Sequence, residues 1–462
     1  MDNLARYDAI IIGTGQAGPA LAKRLSGAGM SVAIVERHLF GGTCVNTGCI
    51  PTKAMVASAY AARVTQRARE YGIAIGGEIA VDMRAVKARK DAISSRSRTG
   101  VETMLRGLAH CAVYHGHARF RSAHEIVVGD AVLSADRIFI NVGGRASVPP
   151  LPGLDRVAYL TNSSMMTLDV APPHLVIVGG SYVGLEFGQM FRRFGSKVTI
   201  IEMAPRLVQR EDADISAAIH EILTREGIDV RLNAKCIRVA GENGRVTARV
   251  DCTEGSPAVE GTHLLLAVGR TPNTDDLGLE AAGVRCDDHG YVDVDDQLET
   301  NVAGVWALGD CNGKGAFTHT AYNDFEIVAA NLLDRGSRRV SDRIAAYALY
   351  IDPPLGRAGL TESAARERGH SVLVGTRPMS RIGRAIEKGE TDGLMKVVVD
   401  ASSHEILGAS ILGTGGDEVI HCLLDAMYAK APYPLLQRAM HIHPTVAEFI
   451  PTVLGELSPS KL

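Results

Sequence analysis

The chain has 462 residues, of which 46% are apolar, 22% charged and 5% aromatic, and its formal net charge is -3. Because natural domains seldom exceed roughly 250 to 300 residues around one core, we expect two or three domains. The apolar fraction, together with 49 glycines and 18 prolines, excludes a disordered chain or a coiled coil. The slight negative charge does not attract nucleic acid or anionic membranes, so neither partner is predicted.

The cysteines and the hydropathy pattern bear on the cellular compartment. No apolar run approaches the roughly 18 residues that span a bilayer, and neither a signal peptide nor a transmembrane helix is predicted. The chain has eight cysteines, most of which stand alone in the sequence, namely Cys111, Cys236, Cys252, Cys286, Cys311 and Cys422. Such scattered cysteines make a poor disulfide framework, so a reducing cytoplasm is predicted. The final Ser460, Lys461 and Leu462 match a peroxisomal address, but three letters are a weak motif and we do not predict that location.

The N-terminal segment contains a βαβ pattern with a glycine-rich turn. A buried strand over residues 8–12 leads into Gly13, Gly15 and Gly18, and a helix and a second apolar strand follow. Gly13 permits a tight turn, Gly15 lets backbone N–H groups approach a pyrophosphate, and Gly18 lets the helix pack on the strand. Glu36 ends the second strand, 18 residues beyond Gly18, where an acid can bind a ribose hydroxyl. The segment therefore predicts a dinucleotide site.

Two closely spaced cysteines follow this first acid. Residues 41–53 read Gly-Gly-Thr-Cys-Val-Asn-Thr-Gly-Cys-Ile-Pro-Thr-Lys, so four residues separate Cys44 from Cys49. In an ideal helix the two Cα atoms would lie roughly 7.5 Å apart along the axis, whereas a disulfide tolerates only about 6.8 Å. We therefore predict a distorted turn between them, which Gly48 and Pro51 would permit. The alternative of two inert core thiols is disfavoured by so specific a string.

The βαβ pattern recurs at a constant offset of 166 residues. The second copy has Gly179 and Gly184 and ends at Glu202, but Ser181 stands where a middle glycine would admit the pyrophosphate. A carboxylate at the end of the second strand repels a 2′-phosphate, so NADH is preferred, although the nearby Arg206 keeps NADPH possible. Two dinucleotide sites in one chain indicate two cofactors that exchange electrons, commonly a flavin and a nicotinamide.

With these residues the chain resembles the flavin-dependent pyridine nucleotide-disulfide oxidoreductases, the family of dihydrolipoamide dehydrogenase, glutathione reductase and mercuric reductase. The resemblance covers nearly the whole chain. It rests on seven motifs in order, namely the first glycine turn and residues 41–53, 138–144, 182–186, 268–274, 300–310 and 441–448. The strings at 51–53 and 352–355 are most similar to the mercuric-reductase-like and reactive-chlorine-resistance flavoenzymes.

The resemblance implies an α/β fold of three units. Two Rossmann-like dinucleotide-binding domains, for FAD and NAD(P), would be followed by a C-terminal α+β dimerisation domain that makes a homodimer. A proline-rich link at residues 148–153 and a turn at 268–274 indicate the boundaries. We therefore expect an FAD domain at 1–150 and 270–338, an NAD(P) domain at 151–269 and an interface domain at 339–462.

The resemblance also implies roles for single residues. FAD would be bound by Gly13, Gly15, Gly18, Glu36, Gly42, Thr43, Gly144 and Asp310. NAD would be bound by Gly179, Tyr182, Gly184, Glu202 and Gly269. Tyr182 would be a gate that moves when the nicotinamide enters, and Lys53, paired with Glu186, would lie beside the reactive flavin nitrogen. No metal site is implied.

The implied reaction passes electrons from NAD(P)H through FAD to a Cys44–Cys49 disulfide, and then to a small disulfide or oxidised thiol. Cys49 would face the flavin and Cys44 the substrate. Because an ordinary thiol is mostly protonated at neutral pH, an acid–base partner is useful. In the family this partner corresponds to His443, oriented by Glu448 and contributed by the other subunit. The spacing of Thr445 and Glu448 also predicts a helix capping box, and both roles can hold at once.

Three functions remain open from the sequence. The first is reduction of a small disulfide or oxidised thiol in defence against oxidants, which needs Cys44, Cys49 and His443. The second is reduction of Hg(II) or Cu(II), which needs the thiols but should tolerate loss of His443. The third is the dihydrolipoamide dehydrogenase subunit of a 2-oxo acid dehydrogenase complex. The His443–Glu448 pair and the lack of a C-terminal cysteine pair disfavour mercury.

Overall fold

The computed structural model describes residues 4–242, 244–251 and 257–460, without the side chains of Cys236 and Asp251. Cys252 lies outside the described residues, as do Lys461 and Leu462 of the peroxisome-type ending.

Residues 4–146 contain the first glycine turn and the cysteine pair. Their helices and strands are β1 Leu4–Tyr7, β2 Ala9–Ile12, α1 Ala17–Gly27, β3 Val32–Glu36, α2 Gly42–Asn46, α3 Cys49–Gln66, α4 Met83–Arg106, β4 Cys111–His115, β5 Ala118–Ser122, β6 Glu125–Val128, β7 Ala131–Ala135, β8 Ile138–Ile140 and β9 Gly144–Ala146. Strands β2 and β3 are buried at every residue, which explains their nearly unbroken apolar sequences, because both faces of a parallel sheet are covered.

Residues 159–266 form a second unit around the second glycine turn. Its helices and strands are β10 Tyr159–Leu160, α5 Asn162–Met165, β11 His174–Val178, α6 Tyr182–Arg193, β12 Lys197–Ile201, α7 Ala213–Arg225, β13 Asp229–Arg231, β14 Lys235–Glu242, β15 Arg245–Asp251, β16 Ala258–Gly261 and β17 His263–Leu266. Five of its strands form a parallel sheet in the order β10-β17-β11-β12-β13, and β14, β15 and β16 form an antiparallel sheet beside it.

The chain then returns to the first unit. The returning elements are β18 Arg270–Pro272, α8 Leu279–Ala282, β19 Val305–Ala307 and α9 Thr318–Leu333. Strand β18 pairs with β9, and β19 adds to β8, completing a parallel sheet in the order β19-β8-β2-β3-β4. A second sheet of the same unit has the order β1-β7-β6-β5. The second unit is therefore an insertion between two parts of the first.

The C-terminal unit is built on one antiparallel sheet. Its elements are β20 Ala346–Leu349, β21 Leu355–Gly359, α10 Glu362–Glu367, β22 Val372–Pro378, α11 Gly383–Glu387, β23 Leu394–Asp400, β24 Ile406–Leu412, α12 Gly416–Tyr428, α13 Tyr433–Gln437, α14 Ile450–Gly455 and β25 Ser458–Pro459. The strand order is β20-β21-β24-β23-β22-β25. Short 3-10 helices occur at Ala68–Tyr71, Leu154–Arg156, Gly309–Asn312, Val340–Asp342, Met379–Arg381 and Ala447–Phe449.

The duplication predicted from the sequence extends to individual hydrogen bonds. The β2–β3 and β11–β12 pairs have the same register at the same sequence offset. Gly13 N donates to the carbonyl of Val35 at 2.8 Å, and Gly179 N donates to that of Ile201 at 2.9 Å. The two turns therefore begin at the same point of two equivalent sheets.

The predicted α/β fold, with two Rossmann-like units and a C-terminal α+β unit, is confirmed by these sheets. Among the residues that the structure describes, no helix combines the length and the apolar character needed to cross a membrane.

Candidate active site

A cavity of about 690 Å³ opens where the three units meet. The predicted site residues that line it are Gly13, Gly15, Glu36, Gly42, Thr43, Cys44, Cys49, Lys53, Tyr182, Glu186 and Asp310. Those that do not line it in the described chain are Gly18, Gly144, Gly179, Gly184, Glu202, Gly269, His443 and Glu448. The structure thus brings the first glycine turn, the cysteine pair and the predicted gate to one cavity.

The first glycine turn forms a cradle that side chains would fill. Gly13 has φ +104°, and a Cβ on it would lie 2.3 Å from the carbonyl oxygen of Asn141. A Cβ on Gly18 would lie 2.3 Å from the Gly13 oxygen, and one on Gly42 would lie 2.9 Å from Gly15 Cα. Only hydrogen fits at these positions, which leaves backbone N–H groups open to a ligand at the start of α1. The cradle therefore fits the pyrophosphate of a dinucleotide.

The acid at the end of β3 is already hydrogen-bonded to this turn. Glu36 Oε2 accepts bonds from Thr14 N at 3.1 Å and Thr14 Oγ1 at 2.5 Å, and Glu36 Oε1 accepts one from His38 N at 2.8 Å. The residue is nearly buried and lines the cavity. The carboxylate is thus held in a fixed orientation at the cavity wall.

Asp310 also lines the cavity and lies on a short 3-10 helix that is hydrogen-bonded to Asp324. Its Oδ2 is 3.2 Å from Arg270 Nε, while burial raises the pKa of the carboxyl and Arg270 opposes this rise. Asp324, which is almost fully buried, accepts a bond from Gly309 N at 2.7 Å. Arg270 also donates to the carbonyl of Gly144, so the predicted Gly144 contributes a backbone oxygen to this cluster.

The two cysteines lie on different helices. Helix α2 ends at Asn46 and α3 begins at Cys49, so the predicted distortion is confirmed. Gly48 has φ -127° and ψ -121°, and a Cβ on it would lie 2.9 Å from the carbonyl oxygen of Thr43. Pro51 lies within the first turn of α3, where proline is well tolerated. Pro51 cannot donate to the carbonyl of Thr47, so it opposes a helix that continues from α2 into α3, as expected.

Both thiols are free in this structure, and their environments differ. The pKa of Cys49 is lowered to about 6 by a hydrogen bond from Cys44, with further help from Thr318 and Lys53 against the effect of burial. The pKa of Cys44 is raised by the same hydrogen bond and by burial. Thr318 Oγ1 is 3.1 Å from Cys49 Sγ, and Cys49 is the first residue of an 18-residue helix, whose N-terminus favours an anion. These surroundings therefore favour a thiolate at Cys49 over one at Cys44.

Lys53 lies one helical turn beyond Cys49 and is paired with the second unit. Its Nζ is 2.8 Å from Glu186 Oε2 and 3.1 Å from Glu186 Oε1. Glu186 also accepts a bond from Tyr350 N at 3.0 Å, and the ammonium group lies 4.6 Å from the centre of the Tyr350 ring. The charge of Lys53 is thus fixed beside the cysteine pair.

The second glycine turn does not line the cavity. Of its βαβ unit, only residues in the first half of α6 reach the lining. A Cβ on Gly179 would lie 2.3 Å from the carbonyl oxygen of Ala267, and one on Gly184 would lie 2.0 Å from Gly179 O. Glu202 accepts bonds from Gly180 N at 2.6 Å and from Ala204 N at 2.8 Å. These contacts repeat the arrangement of the first turn. Gly269 has φ +122°, and no atom lies within 4 Å of a Cβ built there.

His443 and Glu448 form the predicted pair but do not line the cavity in the described chain. Nδ1 of His443 is 3.0 Å from Glu448 Oε2, and the His443 side chain is 80% exposed. Glu448 N donates to Thr445 Oγ1 at 3.2 Å, while Glu448 Oε1 accepts from Thr445 N at 3.4 Å. The capping contacts and the histidine contact therefore coexist on one carboxylate.

The comparison with protein families decides the family. Residues 7–324 match the model described as pyridine nucleotide-disulphide oxidoreductase, and residues 345–454 match the dimerisation domain of that family. The chain belongs to the pyridine nucleotide-disulphide oxidoreductases. It is therefore a flavoprotein enzyme that uses FAD and NAD(P)H and acts on a disulfide, as the sequence predicted.

Several characterised pyridine nucleotide-disulphide oxidoreductases are similar over their whole length. The probable pyridine nucleotide-disulfide oxidoreductase RclA of Escherichia coli is 36% identical over 451 residues, which cover 96% of this chain and 97% of RclA. The mercuric reductase of Streptomyces lividans is 34% identical over 447 residues, covering 96% and 94%. The solved Cu(II) complex of the HOCl-induced flavoprotein disulfide reductase RclA from Escherichia coli matches with a TM-score of 0.89 and 34% identity, covering 98% of this chain and 99% of that chain.

Besides Thr14, His38 and Tyr350, four further residues of this pyridine nucleotide-disulphide oxidoreductase site were not singled out from the sequence. They are Asn141, Arg270, Thr318 and Asp324, which contact the first turn, Asp310, Cys49 and the Asp310 turn respectively. Asn141 and Arg270 fall within motifs that carried the family resemblance, so the motif could have indicated them. Thr318 and Asp324 lie on α9, where nothing in the sequence distinguishes them from other polar helix residues.

Proposed function

We propose that the chain reduces a small disulfide or oxidised thiol with NADH, using Cys44 and Cys49 as the electron relay. The observation that supports this most is that the cysteine pair opens on the same cavity as the first glycine turn. The overall exchange converts NADH, a proton and one disulfide into NAD⁺ and two thiols. The HOCl-induced relative supports a role under oxidative stress.

The flavin site is assigned to the first turn and its surroundings. FAD held there would supply the two-electron chemistry that links NADH to the Cys44–Cys49 disulfide. Glu36 would bind ribose, and Asp310 the ribityl chain. The remaining FAD contacts are assigned to the backbone at Gly13, Gly15, Gly18, Gly42, Thr43 and Gly144.

We assign Cys49 to the flavin side of the relay and Cys44 to the substrate. The low pKa of Cys49 supports this, since the stable thiolate belongs where Lys53 and the start of α3 favour it. Lys53, held by Glu186, would keep a positive charge beside the relay. Cys44 keeps its proton in the reduced pair and needs a base before it can attack a disulfide.

That base is assigned to His443 of a second copy. Within one chain His443 is largely exposed and does not line the cavity, and the dimerisation domain supports a homodimer. Met440 and Ile442, which flank this segment, are 99% and 80% exposed, as expected of a surface that a partner subunit covers. Glu448 would orient the ring and stabilise its protonated form.

NADH is proposed over NADPH, and Glu202 is the residue that supports it. Its carboxylate accepts two backbone bonds at the second turn, where a ribose 2′-hydroxyl could donate but a 2′-phosphate would be repelled. The backbone at Gly179, Gly184 and Gly269 would contact the dinucleotide, and Tyr182 would move as the nicotinamide enters.

The domain limits and the compartment are also proposals. The sheets support an FAD domain at 1–150 and 270–338, an NAD(P) domain at 151–269 and an interface domain at 339–462. The scattering of most cysteines along the sequence, which makes a poor disulfide framework, supports a reducing cytoplasm.

The test is anaerobic single-turnover reoxidation of the NADH-reduced holoenzyme. Wild type and His443→Ala are mixed in a stopped-flow instrument with lipoamide, low-molecular-weight disulfides, Cu(II) or Hg(II). We expect one disulfide to react rapidly with wild type and about 10²- to 10⁴-fold more slowly with the variant, because an acid–base group is lost. Flavin reduction by NADH should be unchanged in the same variant.

Two outcomes would contradict the proposal. Reaction with metal ions alone, undiminished in His443→Ala, would make this a metal-ion reductase. Rapid turnover with lipoamide, together with a gel-filtration shift on adding a lipoyl-domain protein, would instead indicate the subunit of a 2-oxo acid dehydrogenase complex.

A further inference from the structure

The predicted gate, Tyr182, is packed on aromatic rings, and its hydroxyl has only a poorly directed polar contact with Tyr347. The Tyr182 ring meets Tyr347 edge-on at 5.4 Å and 89°, and Phe317 at 5.9 Å and 83°. Phe317 and Tyr347 are themselves stacked at 5.5 Å and 15°. The Tyr182 hydroxyl is buried, and its polar contact is with the Tyr347 hydroxyl, in a geometry too poor for a full hydrogen bond. Because a poorly satisfied buried hydroxyl costs free energy, the gate is held in this position mainly by ring packing, with Tyr347 as its polar neighbour.

Tyr347, in contrast, is fixed by a buried carboxylate. Its hydroxyl donates to Glu211, whose side chain is wholly buried. Arg357 Nε lies 3.4 Å from Glu211 Oε2, and Arg357 Nη1 donates to the carbonyls of Ala358 and Ala409 at 2.6 and 2.8 Å. The Tyr347 ring therefore cannot turn without breaking a buried, charged network.

The segment that carries Glu211 is also attached to the C-terminal unit. Lys396, whose side chain is 3% exposed, lies 3.1 Å from Asp212 and 2.9 Å from Asp214. Asp212 further accepts bonds from Glu362 N at 2.9 Å and from Ser363 Oγ at 2.6 Å. These four polar contacts of Asp212 and Asp214 leave the neighbouring Glu211 little freedom. The C-terminal unit thus fixes both Tyr347 and the carboxylate that holds it.

We propose that Tyr347 is a positioning residue that sets the closed orientation of Tyr182, through its fixed ring and its bond to Glu211. The inference rests on the proposed role of Tyr182 as the nicotinamide gate. Tyr347 does not line the cavity, so it acts through Tyr182 and touches no reactant. None of the sequence motifs indicated Tyr347, Glu211 or Arg357.

The expected effect has a defined sign. NADH binds only when the gate is open. The apparent affinity for NADH is therefore the intrinsic affinity multiplied by the fraction of molecules in which the gate is open. Loosening Tyr347 weakens the closed state, so NADH should bind more tightly. The less covered flavin site should also react more readily with O₂, converting NADH, O₂ and a proton into NAD⁺ and H₂O₂. A general structural defect would move the affinity in the opposite direction.

The variant is Tyr347→Phe, which keeps the ring and removes the hydroxyl that bonds to Glu211 and contacts the Tyr182 hydroxyl. We expect the KM for NADH to fall roughly three- to tenfold and H₂O₂ formation without disulfide substrate to rise by a similar factor. Single-turnover reoxidation by the disulfide should be unchanged. Tyr7→Phe is the matched control, because it also deletes a hydroxyl bonded within the fold, to Tyr114 at 2.7 Å, away from the cavity.

The double variant decides whether Tyr347 acts through the gate. Tyr182→Ala should itself lower the KM for NADH, and adding Tyr347→Phe to it should cause no further change. Multiplicative effects of the two changes, or a KM that stays constant or rises in Tyr347→Phe alone, would overturn the inference. If Tyr182→Ala changes neither the KM for NADH nor H₂O₂ formation, the proposed role of Tyr182 as the nicotinamide gate is contradicted, independently of Tyr347.

Folding of Tyr347→Phe is checked by circular dichroism and flavin content. If this variant folds poorly, a second pair of variants tests the same bond from the side of Glu211. Glu211→Leu cannot accept the hydroxyl and should shift the KM as Tyr347→Phe does. Glu211→Gln retains an oxygen that can accept it and should keep the wild-type KM. A Gln variant that behaves like the Leu variant would show that the charge of Glu211, and not the bond to Tyr347, controls the gate, and would overturn the inference.

Discussion

Lys53 Nζ and Glu186 Oε2 are 2.8 Å apart, and this contact joins two units of the chain beside the cysteine pair. Lys53 lies on α3, four residues after Cys49, and Glu186 lies on α6, four residues after the predicted gate Tyr182. Their side chains are 33% and 7% exposed. The carboxylate of Glu186 is therefore desolvated and depends on Lys53 and on Tyr350 N for compensation.

We expect Lys53→Met to slow flavin reduction by NADH by about 10²-fold, because a fixed charge at the reacting centre is removed and Glu186 is left unpaired. The rate is measured by anaerobic stopped-flow absorbance of the flavin. Lys87→Met is the matched control, since Lys87 also pairs with a carboxylate, Asp91 at 2.6 Å, but lies on α4 away from the cavity. Equal rates in the two variants would contradict the assigned role of Lys53.

In the reduced protein, Cys49 should be alkylated by iodoacetamide with a midpoint near pH 6, because its pKa is lowered to about 6 by Cys44, Thr318 and Lys53. Labelling at each cysteine is followed by mass spectrometry. Cys111 is an internal reference, because burial raises its pKa to about 11. Thr318→Val should move the Cys49 midpoint to higher pH. A midpoint near 8.5, the ordinary value for cysteine, would show that the thiolate is not stabilised.

The same pKa predicts how the stability of the reduced protein depends on pH. The folded pKa of Cys49, about 6, is below the unfolded value of about 8.5, so the thiolate stabilises the fold fully above that upper value. This contribution is lost as the pH falls through about 6. The difference in Tm between reduced wild type and Cys49→Ser should therefore grow between pH 6 and 9. A difference independent of pH would contradict the assignment.

Glu202→Ala should narrow the preference for NADH over NADPH by about tenfold, because the charged acceptor for the ribose hydroxyl and the repulsion of a 2′-phosphate are both lost. The ratio of kcat/KM for the two nucleotides is the measurement, and the KM for the disulfide substrate is the control. An unchanged nucleotide ratio would remove Glu202 from the specificity site.

Ile442→Asp should weaken the homodimer and with it the reaction with disulfide, because a charge would be buried next to His443 in the interface. Analytical ultracentrifugation reports the association state, and single-turnover reoxidation reports the reaction. Val170→Asp is the control, since Val170 is also exposed, at 51%, but lies in the second unit. Loss of the dimer with full retention of disulfide reduction would show that no partner residue is needed.

The first turn and the cysteine pair were predictable because each is a short, continuous string. Gly13, Gly15 and Gly18 indicated a backbone cradle, and the structure adds that the carbonyl of Asn141 is the atom a Cβ on Gly13 would meet. The spacing of Cys44 and Cys49 required a break between them, and α2 and α3 provide it. In these cases local chain geometry determines the structure, so the sequence pattern is sufficient.

The support of the gate was not predictable for the opposite reason. Glu211, Tyr347 and Arg357 come from three separate elements and meet only when the second and C-terminal units pack together. In the sequence, Glu211 reads as an acid before a helix start and Arg357 as a charged residue in a strand. Their partners depend on tertiary contacts that no local periodicity encodes. The exposure of His443 likewise shows only in three dimensions.

The contacts of helix α3 have a practical consequence for protein engineering. The helix begins at the cysteine pair, and its C-terminal part is bonded to a turn of the C-terminal unit. Cys49 begins the helix, while near its other end Tyr60 donates to Glu390 at 2.8 Å and Arg67 donates to the carbonyl of Gly389 at 2.6 Å. A reporter peptide inserted at residues 388–390, an exposed turn by appearance, would therefore shift the helix that carries the cysteine. The β6–β7 turn at Gly129, where no atom lies within 4 Å of an added Cβ, is the safer insertion point.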